Sequence, residues 1–342
     1  MTSLQLKPSP VHYPPTTRHF PFRLFDIAVA TDFSFQNKFP PATAPPDLYF
    51  TCRLEPPLSI QWDAVTPLFT SREQTSDGTS LFLLFAAENT IILRFSQIAD
   101  FYLWSDTIAC HLIDPACNHL VEIYFLGMVL ACWFELQGVL ALHAAASVVN
   151  GRAVAFLSGN QGGKTSLAAT FMQQGYPLLT DDILLVEQQD GPIVGRSGYP
   201  QMRLWPEQAE MLFGRSQEFS LVHPYLDKRR VPVDFDAPGL FQSGRFPISR
   251  FYIPERYTPD NEPPEITITP LPPVEALLKL AGYSFLFWLV ETIGLQPRRL
   301  KRLAQVVETV PVSRLRYPGG VEHLPAVCRA VLADLQLPIT NH

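Results

Sequence analysis

The pattern of apolar and polar positions divides the chain near residue 138. Between residues 47 and 113, short runs rich in aromatic and branched residues alternate with polar breaks, a pattern typical of β-strands: LYFTCRL, LFLLFAA, TIILRF and FYLWSDTIACHLI. The chain before residue 47 is rich in proline, whose fixed φ and missing N–H favour extended or irregular structure. A helix at about Leu120 to Gln137, capped by Gly138, completes a predicted β-rich N-terminal domain of residues 1–138.

From residue 139 onward, longer apolar runs are joined by glycine-containing turns. Asn150-Gly151 separates AAASVV from RAVAFL, and this dipeptide between two apolar runs predicts a β-hairpin with a type I′ turn. If Val149 faces Arg152, the residue numbers of every facing pair add up to 301, and His143 therefore lies opposite Ser158. The second strand of the hairpin therefore has an antiparallel neighbour, and His143 is predicted to lie at the end of that strand.

The segments that follow alternate between helical and strand patterns. Thr165 to Gln174 contains good helix formers and is stopped by Gly175, and a short strand at Leu178 to Thr180 leads into Asp181-Asp182. The remaining predicted elements are a strand at 265–271, a helical stretch at 272–294, an amphipathic helix at 296–310, a strand at 312–318 and a terminal helix at 321–335. Residues 139–342 are thus predicted to form an α/β domain with a mixed sheet.

Composition and charge narrow the class of protein. The chain has 342 residues, of which 47% are hydrophobic, and this is enough for two domains with apolar cores. The net charge is −6, and the one basic run is Lys228-Arg229-Arg230, so we expect no nucleic acid partner. The apolar stretch from Ile123 to Phe134 is shorter than the roughly 20 residues of a bilayer span, and the N-terminus lacks a secretory pattern. We expect a buried helix, no membrane partner and a cytoplasmic location.

The candidate chemistry is concentrated in residues 153–182, AVAFLSGNQGGKTSLAATFMQQGYPLLTDD. An apolar strand, a glycine-rich loop ending in Gly-Lys-Thr and a helix form the pattern of a phosphate-binding loop. In such a loop, backbone N–H groups and the helix N-terminus cradle the phosphates of ATP, Lys164 contacts the outer phosphates, and the Thr165 hydroxyl binds Mg²⁺. The predicted nucleotide-binding residues are Gly159, Asn160, Gln161, Gly162, Gly163, Lys164, Thr165 and Ser166.

Alternatives remain open at three places in this pattern. Ser158 stands where the motif has its first glycine, and a glycine-rich turn with an exposed lysine is the competing interpretation. Asp181 and Asp182 would form a solvated turn or a helix cap in isolation. Beside a phosphate loop, one carboxylate suits Mg²⁺ and the other suits the proton of an attacking hydroxyl. His143 is either a core histidine or a contact at the site.

Two further segments contain candidate residues. In DKRRVPV a charged strand end is the simplest interpretation, but Arg229 or Lys228 would supply a cation for the charge that develops in phosphoryl transfer, and we take Arg229 as the candidate. In the loop-like stretch GYPQMRLWPEQ, Arg203, Trp205 and Glu207 either pack or contact nucleotide or substrate.

The stretch LHAAASVVNGRAVAFLSGNQGGKTSLAATFMQQGYPLLTDD resembles the catalytic domain of HPr serine kinase/phosphorylase and of its relatives near lasso peptide biosynthesis genes. The resemblance extends over roughly residues 139–335. It implies a P-loop domain of the HPr kinase/phosphoenolpyruvate carboxykinase type that uses ATP and Mg²⁺. It also implies roles for single residues: Asp181 as the catalytic base, Asp182 with Thr165 at the metal, His143 as the upstream histidine and a downstream arginine at Arg229.

Departures from the family bear on the acceptor. GYPQMRLWPEQ stands where HPr kinases have a glycine-rich signature that contains a glutamate, and the N-terminal domain differs, so we expect a peptide or protein other than HPr. The leading hypothesis is an ATP- and Mg²⁺-dependent kinase that phosphorylates a Ser or Thr hydroxyl, with a ribosomal peptide precursor among the acceptors and with a homo-oligomer as an open possibility. The alternatives are a nucleotide-binding regulatory protein and a small-molecule kinase.

Overall fold

The computed structural model describes residues 6–10, 21–159, 161–188, 191–223, 226–258 and 265–336. Within these residues, one compact unit comprises the chain up to Val139 together with Leu286–Arg298. The other comprises Leu140–Phe285 and the chain from Arg299 onward. Residues 286–298, which the sequence pattern assigned to the domain 139–342, thus belong to the first unit.

The first unit contains an eight-stranded sheet in the order β1-β2-β3-β8-β7-β6-β5-β4. The β2–β3 and β3–β8 pairs are parallel, and the other neighbours are antiparallel. The strands are β1 Phe22–Leu24, β2 Ile27–Thr31, β3 Leu48–Arg53, β4 Phe69–Thr70, β5 Phe82–Ala87, β6 Thr90–Phe95, β7 Ala99–Leu103 and β8 Thr107–Leu112. The expectation of irregular chain before residue 47 is wrong for β1 and β2, because neither strand contains proline and each can use all its N–H groups in the sheet.

A continuous helical run, Pro115–Gln137, follows β8. It consists of a 3₁₀ turn Pro115–Cys117, α1 Asn118–Tyr124, a π-helical segment Phe125–Val129 and α2 Leu130–Gln137. It ends at Gly138, whose φ of 87° confirms the predicted C-cap. By length and composition these 23 residues would suffice to cross a membrane, but 78% of the apolar window is buried inside the structure. A buried core helix meets the same test, so the run is weak support for a membrane span.

The second unit contains the other strands and most of the helices. The strands are β9 Leu140–Val149, β10 Arg152–Leu157, β11 Leu178–Thr180, β12 Ile183–Gln188, β13 Ile193–Arg196, β14 Gln201–Leu204, β15 Leu221–His223, β16 Leu226–Pro232, β17 Arg245–Tyr257, β18 Thr267–Pro270 and β19 Val312–Pro318. The helices are α3 Lys164–Gln173, α4 Pro206–Phe213, α5 Pro273–Gly282, α6 Phe287–Thr292, α7 Gln296–Thr309 and α8 Leu324–Gln336, of which α6 and the start of α7 lie in the first unit.

The predicted hairpin is present in the predicted register. Arg152 faces Val149 and the pairing continues to Leu157 and Ala144, so facing positions sum to 301. Asn150 and Gly151 have φ of 48° and 73°, as a type I′ turn requires.

Two long strands organise the mixed sheet of the second unit. β9 pairs with β12 over residues 140–143 and with β10 over residues 144–149. β17 pairs with β13 through its first residues, in parallel with β10 through its centre, and in parallel with β19 through its last residues. β14, β16 and β15 form a separate three-stranded antiparallel sheet. The expected α/β architecture with an antiparallel hairpin in a mixed sheet is therefore present.

Two sequence-based element assignments differ from the structure. GYPQMRLWPEQ, expected as a loop, contains β14 and the start of α4, because Met202 and Leu204 alternate into an apolar cluster while Pro206 suits the first turn of a helix. The helical stretch 272–294 is broken between α5 and α6, where Tyr283 to Phe285 instead form bonds to β9.

Candidate functional site

The glycine-rich loop connects the end of β10 to the start of α3. Gly163 precedes the helix with a φ of 93°, a conformation that glycine adopts without strain. Lys164, Thr165 and Ser166 form the first turn of α3, whose N–H groups have no acceptor within a helix. Asn160 lies outside the described residues, and the other predicted nucleotide-binding residues occupy this loop and this turn.

Ser158 fits the loop because residue 162 is a glycine. A Cβ on Gly162 would lie 2.3 Å from both the Cβ and the Oγ of Ser158, so the serine side chain fills the space that a side chain at 162 would need. Ser158 is 3% exposed, and its hydroxyl has no hydrogen-bond partner within the described part of the chain. The departure from the first glycine of the motif is thus matched by a glycine four residues later.

Two residues from distant strands support the loop. The guanidinium of Arg256, on β17, donates a hydrogen bond to the carbonyl of Gln161. The hydroxyl of Tyr317, on β19, lies 2.7 Å from the position that a Cβ on Gly163 would take. Any larger residue at 163 would therefore collide with Tyr317.

Asp181 and Asp182 follow the predicted short strand β11 and separate it from β12. β11 and β12 both run antiparallel to β9, with Thr180 facing Ala146 and Ile183 facing His143. Between them, Asp182 has a φ of 74°, which is uncommon outside glycine and must be held by surrounding contacts. The interruption turns both carboxylates out of the regular alternation of the strand.

Asp181 is bonded on both carboxylate oxygens. Oδ1 accepts a hydrogen bond from the Thr165 hydroxyl at 2.8 Å, and Oδ2 accepts one from the backbone N–H of Arg203 at 2.8 Å. Burial and the negative charge of Asp182 raise the pKa of Asp181 above its ordinary value, although these bonds and Lys164 act in the opposite direction. Asp181 thus faces the helix of the loop.

Asp182 is held between a cation and an imidazole. The guanidinium of Arg203 donates to Oδ2 at 2.8 Å, and Nε2 of His143 lies 3.1 Å from Oδ1. Burial acts to raise the pKa of Asp182, but Arg203 and His143 together hold it well below its usual range. The same guanidinium donates to the Tyr199 hydroxyl at 2.8 Å, which fixes its plane. His143 therefore pairs with Asp182.

Lys164 lies among these charges. It is 5% exposed, and burial lowers the pKa of its ammonium group, while Asp182 and Asp181 act to raise it. The charge of Lys228 lowers the pKa of Lys164 further, so a second cation lies near the loop. This enclosed ammonium supplies positive charge where the loop would receive phosphates.

The alternation of β16 decides which basic residue faces the site. Arg229 faces Leu204, a residue of the apolar cluster beside α3, whereas Arg230 faces Arg203. Since successive side chains of a strand point to opposite faces, Lys228 lies on the face of Arg203 and Arg229 on the other. Of the two cations that the sequence offered, Lys228 lines the cavity, and Arg229 is not among its lining residues.

A cavity of about 480 Å³ lies beside the loop. It is lined by His143, Gly159, Asp182, Arg203, Val222, Lys228 and Phe285. Its walls combine the glycine-rich loop, an imidazole, a carboxylate, two cations and two apolar side chains. Its volume is in the range of small-molecule sites, and it is open to solvent.

The residues present fit a magnesium ion only together with a nucleotide. Among the described residues, no group of three or more His, Cys, Asp or Glu side chains is arranged to hold a metal ion. The Thr165 hydroxyl and the Asp181 carboxylate are hard oxygen donors and adjoin each other. Mg²⁺ commonly binds through one or two carboxylates together with substrate phosphates and waters, and this pair matches that requirement.

Three residues of the site were weak or absent in the sequence-based prediction. Arg203 was noted only as one of several polar residues in a loop, and Tyr199 and Phe285 were not singled out. Val222, which also lines the cavity, is a fourth residue that the sequence-based prediction lacked. The available signal was the alternation of Gln201–Leu204, which reads as a strand once Met202 and Leu204 are taken as core positions. No sequence signal placed Phe285, because its position depends on bonds to β9, more than 140 residues upstream.

Comparisons with known proteins show a distant likeness among solved structures. No protein-family model matches the chain, and no curated protein matches it. Among solved structures, the chain is similar to the Hpr(Ser) kinase/phosphatase from Coxiella burnetii, with 12% sequence identity and a TM-score of 0.30. The match covers 57% of this chain and 94% of that chain. At this TM-score the likeness is a distant one between structures and does not establish a function.

Proposed function

We propose that this protein is an ATP- and Mg²⁺-dependent kinase that transfers the γ-phosphoryl group to a Ser or Thr hydroxyl of a peptide or protein. One observation carries the proposal: Thr165 at the start of the loop helix is bonded to Asp181, while the adjacent Asp182 lines a cavity that the same loop borders. Phosphoryl transfer needs a phosphate cradle, oxygen ligands for the metal ion and a carboxylate that orients the acceptor.

The loop and Lys164 would hold the nucleotide. The backbone N–H groups of the loop and of the first turn of α3 would bind the phosphates, and the enclosed ammonium of Lys164 would contact the outer ones. Thr165 and Asp181 would hold Mg²⁺, which when bound offsets phosphate charge. Arg256 and Tyr317 keep the loop in position from behind.

The contacts favour an exchange of the two aspartate roles that the family resemblance implied. A general base must first be within reach of the proton that it takes, and Asp182 lines the cavity whereas Asp181 is not among the lining residues. The raised pKa of Asp181 would suit a base, but access decides between the two. We therefore assign the role of general base for the acceptor hydroxyl to Asp182 and the role of Mg²⁺ ligand to Asp181.

In the proposed step, the acceptor hydroxyl oxygen forms a bond to the γ-phosphorus as the bond to the β–γ bridging oxygen breaks. The hydroxyl proton passes to Asp182, and ADP carries away the electron pair of the broken bond. Arg203 and His143 orient the Asp182 carboxylate, and Lys228 provides positive charge beside the transferring group.

Phosphate transfer from labelled ATP to a mixture of Ser- and Thr-containing peptides tests this function. We expect Asp182→Asn to lower the transfer rate at least about 100-fold while ATP binding changes little, because a positioned base contributes roughly that factor. Asp181→Asn and Thr165→Ala should weaken Mg²⁺-dependent ATP binding. Asp236→Asn, an exposed carboxylate of the same unit, is the matched control and should behave as wild type.

Two results would overturn the proposal. One is an Asp182→Asn variant that transfers phosphate as fast as wild type. The other is tight ATP binding by wild type without transfer to any peptide, which would favour a regulatory nucleotide-binding protein. Transfer to metabolites alone would indicate the small-molecule kinase.

A further inference from the structure

Phe285 forms an apolar wall of the cavity beside Asp182. Its ring is partly buried and lies edge-on to the His143 imidazole, with ring centroids 6.0 Å apart and an interplanar angle of 78°. Phe285 and the catalytic-side carboxylate therefore border the same space. The nucleotide-binding loop and the proposed proton transfer make no use of this ring.

The segment that carries Phe285 is bonded to β9 through the backbone of Tyr283 and of Phe285 itself. The N–H of His143 donates to the Tyr283 carbonyl at 2.8 Å, and the N–H of Phe285 donates to the Ala141 carbonyl at 3.0 Å. Between these bonds, Ser284 pairs with Leu142 as an isolated antiparallel bridge. The ring is thus fixed to the strand that also carries His143.

A buried arginine strengthens this attachment. Arg299, on α7, is 2% exposed and donates to the Ala141 carbonyl at 3.1 Å and to the Ser284 hydroxyl. Both acceptors belong to the contact between β9 and the segment of Phe285. A side chain on so constrained a backbone segment presents a preformed surface to a ligand.

Val222 supplies a second apolar contact. It is 5% exposed, belongs to β15 and lines the same cavity as Phe285. The cations of the cavity have other partners or neighbours: Arg203 is bonded to Asp182, and Lys228 lies near Lys164 and over the Trp205 ring at 5.6 Å. A charged group of an acceptor would therefore meet apolar carbon on the Phe285 side.

We propose that the acceptor is a peptide segment in which an apolar side chain directly flanks the phosphorylated Ser or Thr and packs against Phe285 and Val222. The inference rests on the proposed kinase function. Phe285 packs against His143, which is itself in contact with Asp182, and Phe285 and Asp182 line the same cavity. Consecutive Cα atoms are about 3.8 Å apart, so the chain neighbour of a hydroxyl residue at Asp182 lies beside this wall. Removing apolar surface from water on this wall would select the peptide.

Steady-state kinetics with matched peptides test the inference. Peptides that differ only in the residues flanking one Ser, either Leu or Gly on each side in turn, would be compared with wild type and with Phe285→Ala. We expect wild type to show a KM about tenfold lower for a Leu-flanked peptide than for the Gly-flanked one. Phe285→Ala should remove most of that ratio, and the KM for ATP should not change.

Matched variants separate recognition from folding. Phe287→Ala removes a ring that is 42% exposed and lies two residues further along, outside the cavity, and should retain the wild-type preference. Phe285→Leu keeps an apolar wall and should retain part of the preference for the Leu-flanked peptide. Val222→Thr should reduce that preference because a hydroxyl replaces a methyl group. Unchanged ATP binding by each variant reports an intact fold.

The possible failures are distinguishable. If wild type phosphorylates peptides without regard to flanking residues, or if Phe285→Ala keeps the full preference for leucine, the inference is wrong while the kinase function stands. If wild type binds ATP and phosphorylates no peptide at all, the proposed function fails, and the peptide acceptor fails with it.

Discussion

At the scale of single residues, Asp181 and Asp182 are neighbours in the chain, but their surroundings move their pKa values in opposite directions. Burial and the adjacent carboxylate raise the pKa of Asp181, whereas Arg203 and His143 lower that of Asp182 against the effect of burial. Titratable groups whose pKa values are moved apart by their surroundings are characteristic of sites with divided roles. The backbone of Asp182 is also strained, with a φ of 74°, and residues in such conformations cluster at functional sites.

The lowered pKa of Asp182 predicts a pH-dependent contribution to stability. The folded-state pKa lies below the ordinary value of 3.8, so the ionised carboxylate stabilises the fold above about pH 4, and this stabilisation is lost as the pH falls through the folded-state pKa. Asp182→Asn should lower the free energy of unfolding by roughly 3 kcal/mol at neutral pH, because Arg203 loses its buried partner. The difference from wild type should shrink below about pH 4.

Urea unfolding at neutral pH and at about pH 3 measures this difference. The exposed Asp236→Asn is the control, and it should show no comparable change at either pH. A destabilisation by Asp182→Asn that is the same at both pH values would contradict the assigned pairing.

At the scale of elements, the glycine-rich loop is shaped by complementary residues at its two ends. Ser158 would be too large for the loop if Gly162 had a side chain, and Gly163 must remain small because of Tyr317. The motif pattern requires Gly163 but could not anticipate the match between Ser158 and Gly162, since it specifies position 158 and leaves position 162 open. The hairpin before the loop, in contrast, was predictable to the exact register because Asn150-Gly151 determines the turn and the turn determines the pairing.

The steric match at positions 158 and 162 predicts a specific rescue. Gly162→Ala should lower the free energy of unfolding by about 1–3 kcal/mol and weaken ATP binding, because the new Cβ overlaps the Ser158 side chain. Adding Ser158→Gly should restore most of the stability. Adding Ser158→Ala should not, because alanine keeps the Cβ that lies 2.3 Å from the new atom.

Thermal or urea unfolding of the single and double variants provides the measurement. Gly282→Ala is the matched control, because a Cβ there would have nothing within 4 Å, and its effect should be within about 0.5 kcal/mol. Equal rescue by Ser158→Gly and Ser158→Ala would show that the overlap is not the cause.

At the scale of the whole molecule, the two compact units are not two consecutive stretches of the chain. Leu286–Arg298 lies between two segments of the second unit in sequence but belongs to the first unit. Within that unit, Trp288 on α6 packs against Phe69 and Phe82, with ring centroids 4.3 Å and 5.5 Å apart. A segment far along the chain thus completes the packing of the β-rich unit.

This arrangement predicts that Trp288→Ala destabilises the first unit selectively. We expect the free energy of unfolding of this unit to fall by roughly 2–4 kcal/mol, as for the truncation of a packed aromatic side chain. In a thermal scan the transition that ATP does not shift should move to lower temperature, while the ATP-stabilised transition of the second unit should stay in place. A shift of the ATP-stabilised transition by the same amount would contradict the assignment of Trp288 to the first unit.

The sequence alone determined the features that depend on neighbours in the chain. The Asn150-Gly151 turn, the helix after Gly-Lys-Thr, the Gly138 cap and the short strand before Asp181-Asp182 each follow from local dihedral preference or periodicity. Tertiary structure decided what depends on distant partners: the pairing of Arg203 and His143 with Asp182, the choice of Lys228 over Arg229, and the position of Phe285. The physical reason is that periodicity states which face a side chain takes, whereas only the packed strands decide which residues meet across that face.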